Sequence, residues 1–275
     1  MRFDLHCHST CSDGLLAPAD VVERAVLRGV DVLALTDHDE LKGLTEARAA
    51  AAQWGLRLID GVEISVLWEG ITLHIVGLAI DAGNEPLASG LAAVRAGRQL
   101  RAEAMAQSLA DCGIAGALDG ARRHARNPEL LSRAHFARHL VDRGHAPDTN
   151  AVFRRFLTPG KPGYVEHQWP TLAEALAWIH GAGGVAVIAH PGRYDLGPAQ
   201  CDRLLGEFVT LGGRAVEIVT GSHAPDEFVT WAHHARRFGL LASAGSDFHG
   251  PGEGYRDLGN VPALPPGCEP VWSLF

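Results

Sequence analysis

The sequence predicts an α/β fold, a barrel of seven strands alternating with helices and interrupted once by an all-helical insertion. Short apolar, β-branched runs alternate with segments of helical period, the pattern of βα units around a parallel sheet. That rhythm lapses between about Gly97 and Gln168, where no convincing strand occurs. Histidines and carboxylates gather where the predicted strands end. With 275 residues, 47% of them hydrophobic, the chain can bury one large barrel core or two smaller ones.

The elements follow in order. Strands are expected at Arg2–His6, Asp31–Thr36, Leu56–Ile64, Ile71–Ala79, Val185–Ala189, Arg214–Val219 and Leu240–Ala244. The first helix starts at Pro18-Ala19-Asp20, since proline suits a first helical turn, and Gly29 is placed to cap its end. A second covers Leu41–Trp54 and is closed by Gly55. Others fall near Leu172–His180, Ala199–Leu211 and Pro225–Phe238. The insertion reads as helices Arg95–Cys112, Glu129–Arg143 and Thr149–Phe156, then the turn-rich LTPGKPGYV. The expected division is therefore a barrel from residues 1–96 and 169–275, carrying a helical insertion at 97–168 that selects substrate. Pro262–Pro270 is proline-rich and should wrap the surface.

Charge and cysteines narrow the class. The net charge is −8, yet Arg95–Lys161 holds 12 Lys and Arg against 6 Asp and Glu. An acidic body with a basic insert can still attract an anion, because bound cations invert the local sign. The acidic total argues against nonspecific duplex-DNA binding. No apolar run is long enough to span a bilayer, and MRFDLHCHSTCSDG lacks the features of a secretory signal. Five scattered cysteines form no disulfide framework, which points to a reducing, cytoplasmic setting. The oligomeric state is not legible. Gly181-Ala182-Gly183-Gly184 precedes a strand rather than joining a strand to a helix, so it reads as a helix-ending turn and not as a nucleotide-binding loop.

The chemistry lies in the strand ends. His6 and His8 end the first strand, followed by Asp13, and the second strand runs into Thr36-Asp37-His38-Asp39. The third gives Glu63, the fourth His74 and the fifth His190, and Asp247 and His249 follow the seventh. In a parallel barrel these positions form one mouth. Residues at i and i+2 of an extended segment face the same way, as ligands of one ion must, so His6 and His8 can share a cation while Cys7 points away. Asp247 and His249 repeat that geometry. Taken singly, a histidine at a strand end is more often a hydrogen-bonded core or rim residue. Joint placement of six histidines and three carboxylates points to a cluster of cations, since one tetrahedral ion takes four ligands at most. Mixed imidazole and carboxylate ligation favours Mn²⁺, Fe²⁺ or Zn²⁺. Three divalent ions against three carboxylates leave the site near +3, suited to a phosphate ester.

These motifs resemble the PHP (polymerase and histidinol phosphatase) family. The matching pieces are DLHCHSTCSDG at Asp4–Gly14, ALTDHD at Ala34–Asp39, GVEIS at Gly61–Ser65, LHIVG at Leu73–Gly77, AHPGRY at Ala189–Tyr194 and GSDFHG at Gly245–Gly250. The resemblance implies a distorted seven-stranded β/α barrel with three divalent metal ions, Mn²⁺ ahead of Fe²⁺ or Zn²⁺. It implies that His6, His8, Glu63 and Asp247 hold one ion. Glu63, His74 and His190 would hold a second, and Asp13, His38 and His249 a third. Every ligand position is filled, which implies an active hydrolase. The length, the position of the insert and the segments LLSRAHFARHLVDRG and FLTPGKPGYV resemble the TrpH/YciV-type branch. That branch is associated with phosphate release from nucleoside 3′,5′-bisphosphates such as pAp, and with 5′-to-3′ trimming of short single-stranded RNA.

The expected reaction is in-line attack on phosphorus by a water that the cations activate. Ser9, Ser246 and Cys7 lack a dedicated base, so no covalent intermediate is expected. Arg126, Arg133 and His135 are the candidates for gripping a second phosphate, because guanidinium forks onto phosphate oxygens. The ordinary alternative makes them solvent-facing residues of a cap helix. Two other functions stay open: a histidinol-phosphate-type metabolite phosphatase, and a non-catalytic, metal-stabilised binding module.

Overall fold

The structure is a computed structural model that describes residues 1–275. Seven strands stand side by side in chain order: β1 (Phe3–Asp4), β2 (Val32–Leu35), β3 (Arg57–Trp68), β4 (Ile71–Leu78), β5 (Val185–Ile188), β6 (Ala215–Val219) and β7 (Leu241–Ala244). The barrel closes between β7 and β1. Leu5 N–H donates to the Ala244 carbonyl at 3.0 Å, Asp247 N–H to His6 at 2.9 Å and His8 N–H to Phe248 at 2.9 Å.

The sheet is not wholly parallel, which corrects the reading from sequence. β4 runs antiparallel to both β3 and β5, while the other pairs are parallel. The cause is local. β3 continues to Trp68 and turns back through Glu69 and Gly70, both at positive φ, into Ile71. A two-residue hairpin turn of that hand joins antiparallel strands, whereas a parallel pair needs a long crossover.

Helices α1 (Pro18–Leu27) and α2 (Gly43–Trp54) pack on the outside of β1 and β2, around Val22, Leu33, Leu35 and Leu44. The largest core lies under α7 (Leu172–Gly181), α8 (Pro198–Thr210) and α9 (Pro225–Phe238). The barrel interior holds Leu5, Val32, Ile59, Val76, Val187 and Leu241. Near the C-terminus, Trp272 stacks on Phe3 at 4.3 Å, and Ala242 N–H donates to the Glu269 carbonyl at 2.7 Å.

Between β4 and β5 run α3 (Glu85–Asp111), α4 (Ala117–His124), α5 (Arg133–Asp142) and α6 (Thr149–Val152), the last continuing into a π-helical turn at Phe153–Leu157. They enclose a core of their own, including Met105, Leu109, Phe136, Leu140 and Leu157. α3 starts ten residues before the expected Arg95. The Asn84 side chain accepts from Leu87 N–H at 3.1 Å and Pro86 occupies the first turn, so the helix is capped there. α5 starts later than the expected Glu129 because Ser132 caps it, and α4 was not foreseen. All five cysteines are unpaired, and no helix is long and apolar enough to cross a membrane.

Candidate metal centre

The barrel mouth gathers the nine residues from six chain segments. Seven of the residues come from strand ends or the loops that follow them, as strand polarity requires. Glu63 and His74 do not: they lie within β3 and β4, in register opposite Val76 and Ser65. Side-chain alternation turns both towards the mouth, and the hairpin carries them there without a strand end.

Glu63 is the hub. Its Oε2 lies 3.2 Å from His6 Nε2, 3.3 Å from His8 Nε2 and 3.0 Å from His38 Nδ1. Its Oε1 meets His74 Nδ1 and His190 Nε2, each at 2.9 Å. Asp247 Oδ1 stands 3.5 Å from His6 Nε2 and 3.4 Å from His8 Nε2, and Asp13 Oδ1 is 3.4 Å from His249 Nε2. Donor atoms fall into three overlapping groups: His6, His8 and Asp247; His38, Glu63 and His74; and His8, Asp13, His38 and His249.

The residues fit a set of cations. Glu63 Oε2, Asp13 Oδ1 and His38 Nδ1 are buried and make no hydrogen bond, although imidazoles and carboxylates crowd around them. Buried polar atoms without partners are costly, and a cation is the partner such a donor set accepts. Burial opposes ionisation of Glu63, Asp13 and Asp247, but the surrounding imidazoles outweigh it and hold all three carboxyls well below their ordinary range. His190 (φ 29°), Asp247 (φ 53°) and Asp39 (φ 49°) sit in left-handed backbone, a strain of roughly 1–3 kcal/mol each that surrounding contacts must hold.

A cavity of about 490 Å³ rises above the mouth. Five arginines line it: Arg98, Arg101, Arg133, Arg138 and Arg193. Three carry carboxylate partners. Arg98 Nε donates to Asp39 at 2.8 Å, Arg138 Nε to Glu253 at 2.8 Å and Arg193 to Asp247 at 2.9 Å. Arg101 and Arg133 have none, and donate only to the carbonyls of Val165 (3.0 Å) and Leu157 (3.3 Å). Burial, then mutual repulsion, pulls the Arg101 guanidinium down to about 9.

Of the three residues expected to grip a second phosphate, only Arg133 lines this cavity. Arg126 lies exposed on the loop after α4. His135 is buried inside the first turn of α5, where its Nδ1 accepts from Ser132 N–H at 3.1 Å while Ser132 Oγ accepts from Ala134 N–H. It serves as the third residue of a capping box, a role usually filled by Glu or Gln.

Sequence reasoning passed over Arg98, Arg101, Arg193 and Glu217. Arg95, Arg98 and Arg101 recur every third residue, a spacing that puts them on one helix face. Arg95 donates to the Asp39 carbonyl at 2.7 Å, and Trp169 lies against both Arg98 and Arg101. Glu217 was marked by being the lone charge in the apolar run AVEIV.

Residues 4–138 match the PHP domain family. The chain is 55% identical over 271 residues to a 3′,5′-nucleoside bisphosphate phosphatase of Chromobacterium violaceum, covering 98% of this chain and 95% of that protein. It is 43% identical to the 5′-3′ exoribonuclease Rnm of Escherichia coli, covering 99% and 93%. Its fold matches the solved structure of an amidohydrolase from Chromobacterium violaceum at a TM-score of 0.97 and 54% identity, covering 100% of this chain and 95% of that one.

Proposed function

We propose, since the chain belongs to the PHP domain family, that it is a metal-dependent phosphoesterase that removes the 3′-phosphate of nucleoside 3′,5′-bisphosphates and trims short 5′-phosphorylated RNA from its 5′ end. The observation that carries this reading is a donor cluster of eight imidazole and carboxylate side chains, joined by His190 through Glu63, beneath an arginine-lined cavity.

His6, His8, Glu63 and Asp247 would hold one cation, Glu63, His74 and His190 a second, and Asp13, His38 and His249 a third. Mn²⁺ is the preferred ion, with Fe²⁺ or Zn²⁺ as substitutes. Such ions supply Lewis acidity, which makes water a nucleophile at neutral pH and offsets charge on phosphoryl oxygens. The chain's own part is to orient the ester. Arg193, at the mouth beside Asp247, can hold a non-bridging oxygen of the reacting phosphoryl group. Arg101 and Arg133, free of carboxylates, can hold the 5′-phosphate at the other end of the nucleoside.

One bond change then accounts for both activities. Water oxygen bonds to the 3′-phosphorus, the bond from phosphorus to the nucleoside O3′ breaks, and O3′ takes a proton. A bisphosphate yields a nucleoside 5′-monophosphate and inorganic phosphate. RNA yields the same monophosphate and a shorter chain that carries a new 5′-phosphate.

The test is a panel with added Mn²⁺: pAp, 3′-AMP, matched oligonucleotides with 5′-phosphate or 5′-hydroxyl ends, histidinol phosphate and an aryl phosphate. The expected kcat/KM is highest for pAp and the 5′-phosphorylated oligonucleotide. Arg133→Ala and Arg101→Ala should each raise KM for pAp by about 10- to 100-fold, and raise that for 3′-AMP far less. Equal effects on pAp and 3′-AMP would remove the arginines from this role. Preference for histidinol phosphate would replace the substrate assignment. No turnover of any substrate would leave a binding module.

A further inference from the structure

Glu217 stands in the middle of β6, fully enclosed, with both carboxylate oxygens engaged. Oε1 meets His6 Nδ1 at 2.7 Å, and Oε2 accepts the backbone N–H of His190 at 2.6 Å. His6 follows β1 and His190 follows β5, so a single side chain spans two strands that do not touch.

We infer that Glu217 is a positioning residue of the metal centre, one that fixes the ring of His6 and the backbone of His190 without itself binding a cation. The inference rests on the metal-centre reading of the mouth, and it follows from three observations.

Neutral imidazole carries one proton. A carboxylate at Nδ1 draws that proton to Nδ1 and leaves the Nε2 lone pair free. Nε2 is the His6 atom that faces the cluster, 3.1 Å from His8 Nε2 and 3.2 Å from Glu63 Oε2. Held the other way round, His6 would present a proton where a ligand is needed.

His190 has φ 29° and ψ 55°, a conformation rare for a residue with a side chain. The hydrogen bond its backbone N–H donates to Glu217 is one of the contacts that hold it, and its ring reaches Glu63 Oε1. If that amide contact is lost, the backbone can relax and carry the ring away from Glu63.

A stabilising role alone accounts poorly for the residue. A carboxyl group enclosed deep in a barrel gives up its hydration, and buried polar pairs of this kind are weak contributors to stability. A hydrophobic side chain on β6 would pack more cheaply. What it could not do is accept from a ring nitrogen and an amide at once.

The experiment compares wild type with Glu217→Gln and Glu217→Asp. Gln keeps the shape but has one acceptor oxygen, so its amide group must face His6 or the His190 N–H as a donor. Asp keeps the charge but is a methylene too short to reach both. The readouts are the Mn²⁺ dissociation constant by titration calorimetry, metal content after dialysis, and melting temperature in chelator. Both variants should bind Mn²⁺ about 10- to 100-fold more weakly, with turnover by Glu217→Gln recovering as Mn²⁺ is raised. Dissociation constants within twofold of wild type would overturn the inference, and a lower melting temperature alongside them would make Glu217 purely structural. If one variant fails to fold, the other decides. Wild type that binds no Mn²⁺ at all would instead refute the metal centre, so the two failures are distinguishable.

Discussion

Among residues, Glu63 and Asp247 carry the site. Glu63 touches five imidazoles, and Asp247 lies against His6, His8 and Arg193. Asp247→Asn keeps the shape of the side chain and removes its charge. Turnover should be lost and bound metal should fall, as they should in His190→Ala, while circular dichroism keeps the wild-type spectrum. Full metal content in Asp247→Asn would exclude it as a ligand. These residues were legible in sequence because histidines and carboxylates cluster in short motifs, with the i, i+2 spacing of His6–His8 and Asp247–His249. Glu217 was not, because its partner His6 is 211 residues away and no local spacing reveals the pairing. His135 shows the opposite error. A polar residue in the first turn of a basic helix suggests an anion site, yet the backbone of α5 uses it first.

At the level of elements, that cap has a consequence for stability. Burial pulls His135 down to about 4, with neighbouring Asp13 opposing, so the folded state keeps it neutral. The unfolded chain takes up a proton near pH 6.5. Stability from this group is therefore full above pH 6.5 and is lost as pH falls to 4, by about 3 kcal/mol. His135→Gln keeps a side chain that can accept at the third helical position and removes the titration. Urea unfolding should show a smaller loss of stability between pH 6.5 and 4 in the variant, and parallel curves would contradict this account. The same scale explains where the fold was and was not readable. Helix ends marked by Pro18, Gly55 and Pro225 fall within two residues of expectation, since caps are written locally. The direction of β4 was set by Glu69–Gly70, a turn that a strand stopped at Ile64 leaves out of view. The start of α3 was missed because Asn84 and Pro86 lie before the basic stretch that drew attention to the insert.

For the whole molecule, sequence charge divides between an acidic barrel and basic helices, and the cavity lies where the two meet. The helical segment supplies Arg98, Arg101, Arg133 and Arg138 to its wall, while the barrel supplies the carboxylates of its floor. Cations bound to that floor should stabilise the folded chain by mass action, about 2.7 kcal/mol at a hundredfold excess over the dissociation constant. For a chain of this size that corresponds to a rise in Tm of about 5–10 °C, measured by calorimetry with and without Mn²⁺. Asp247→Asn should lack most of the rise, and an unmoved wild-type Tm would count against a structural contribution from metal. The closure of the barrel between β7 and β1 adds a constraint in time. His6 and His8 are translated some 240 residues before their partners Asp247 and His249. The donor set is therefore complete only once the last strand has docked beside the first.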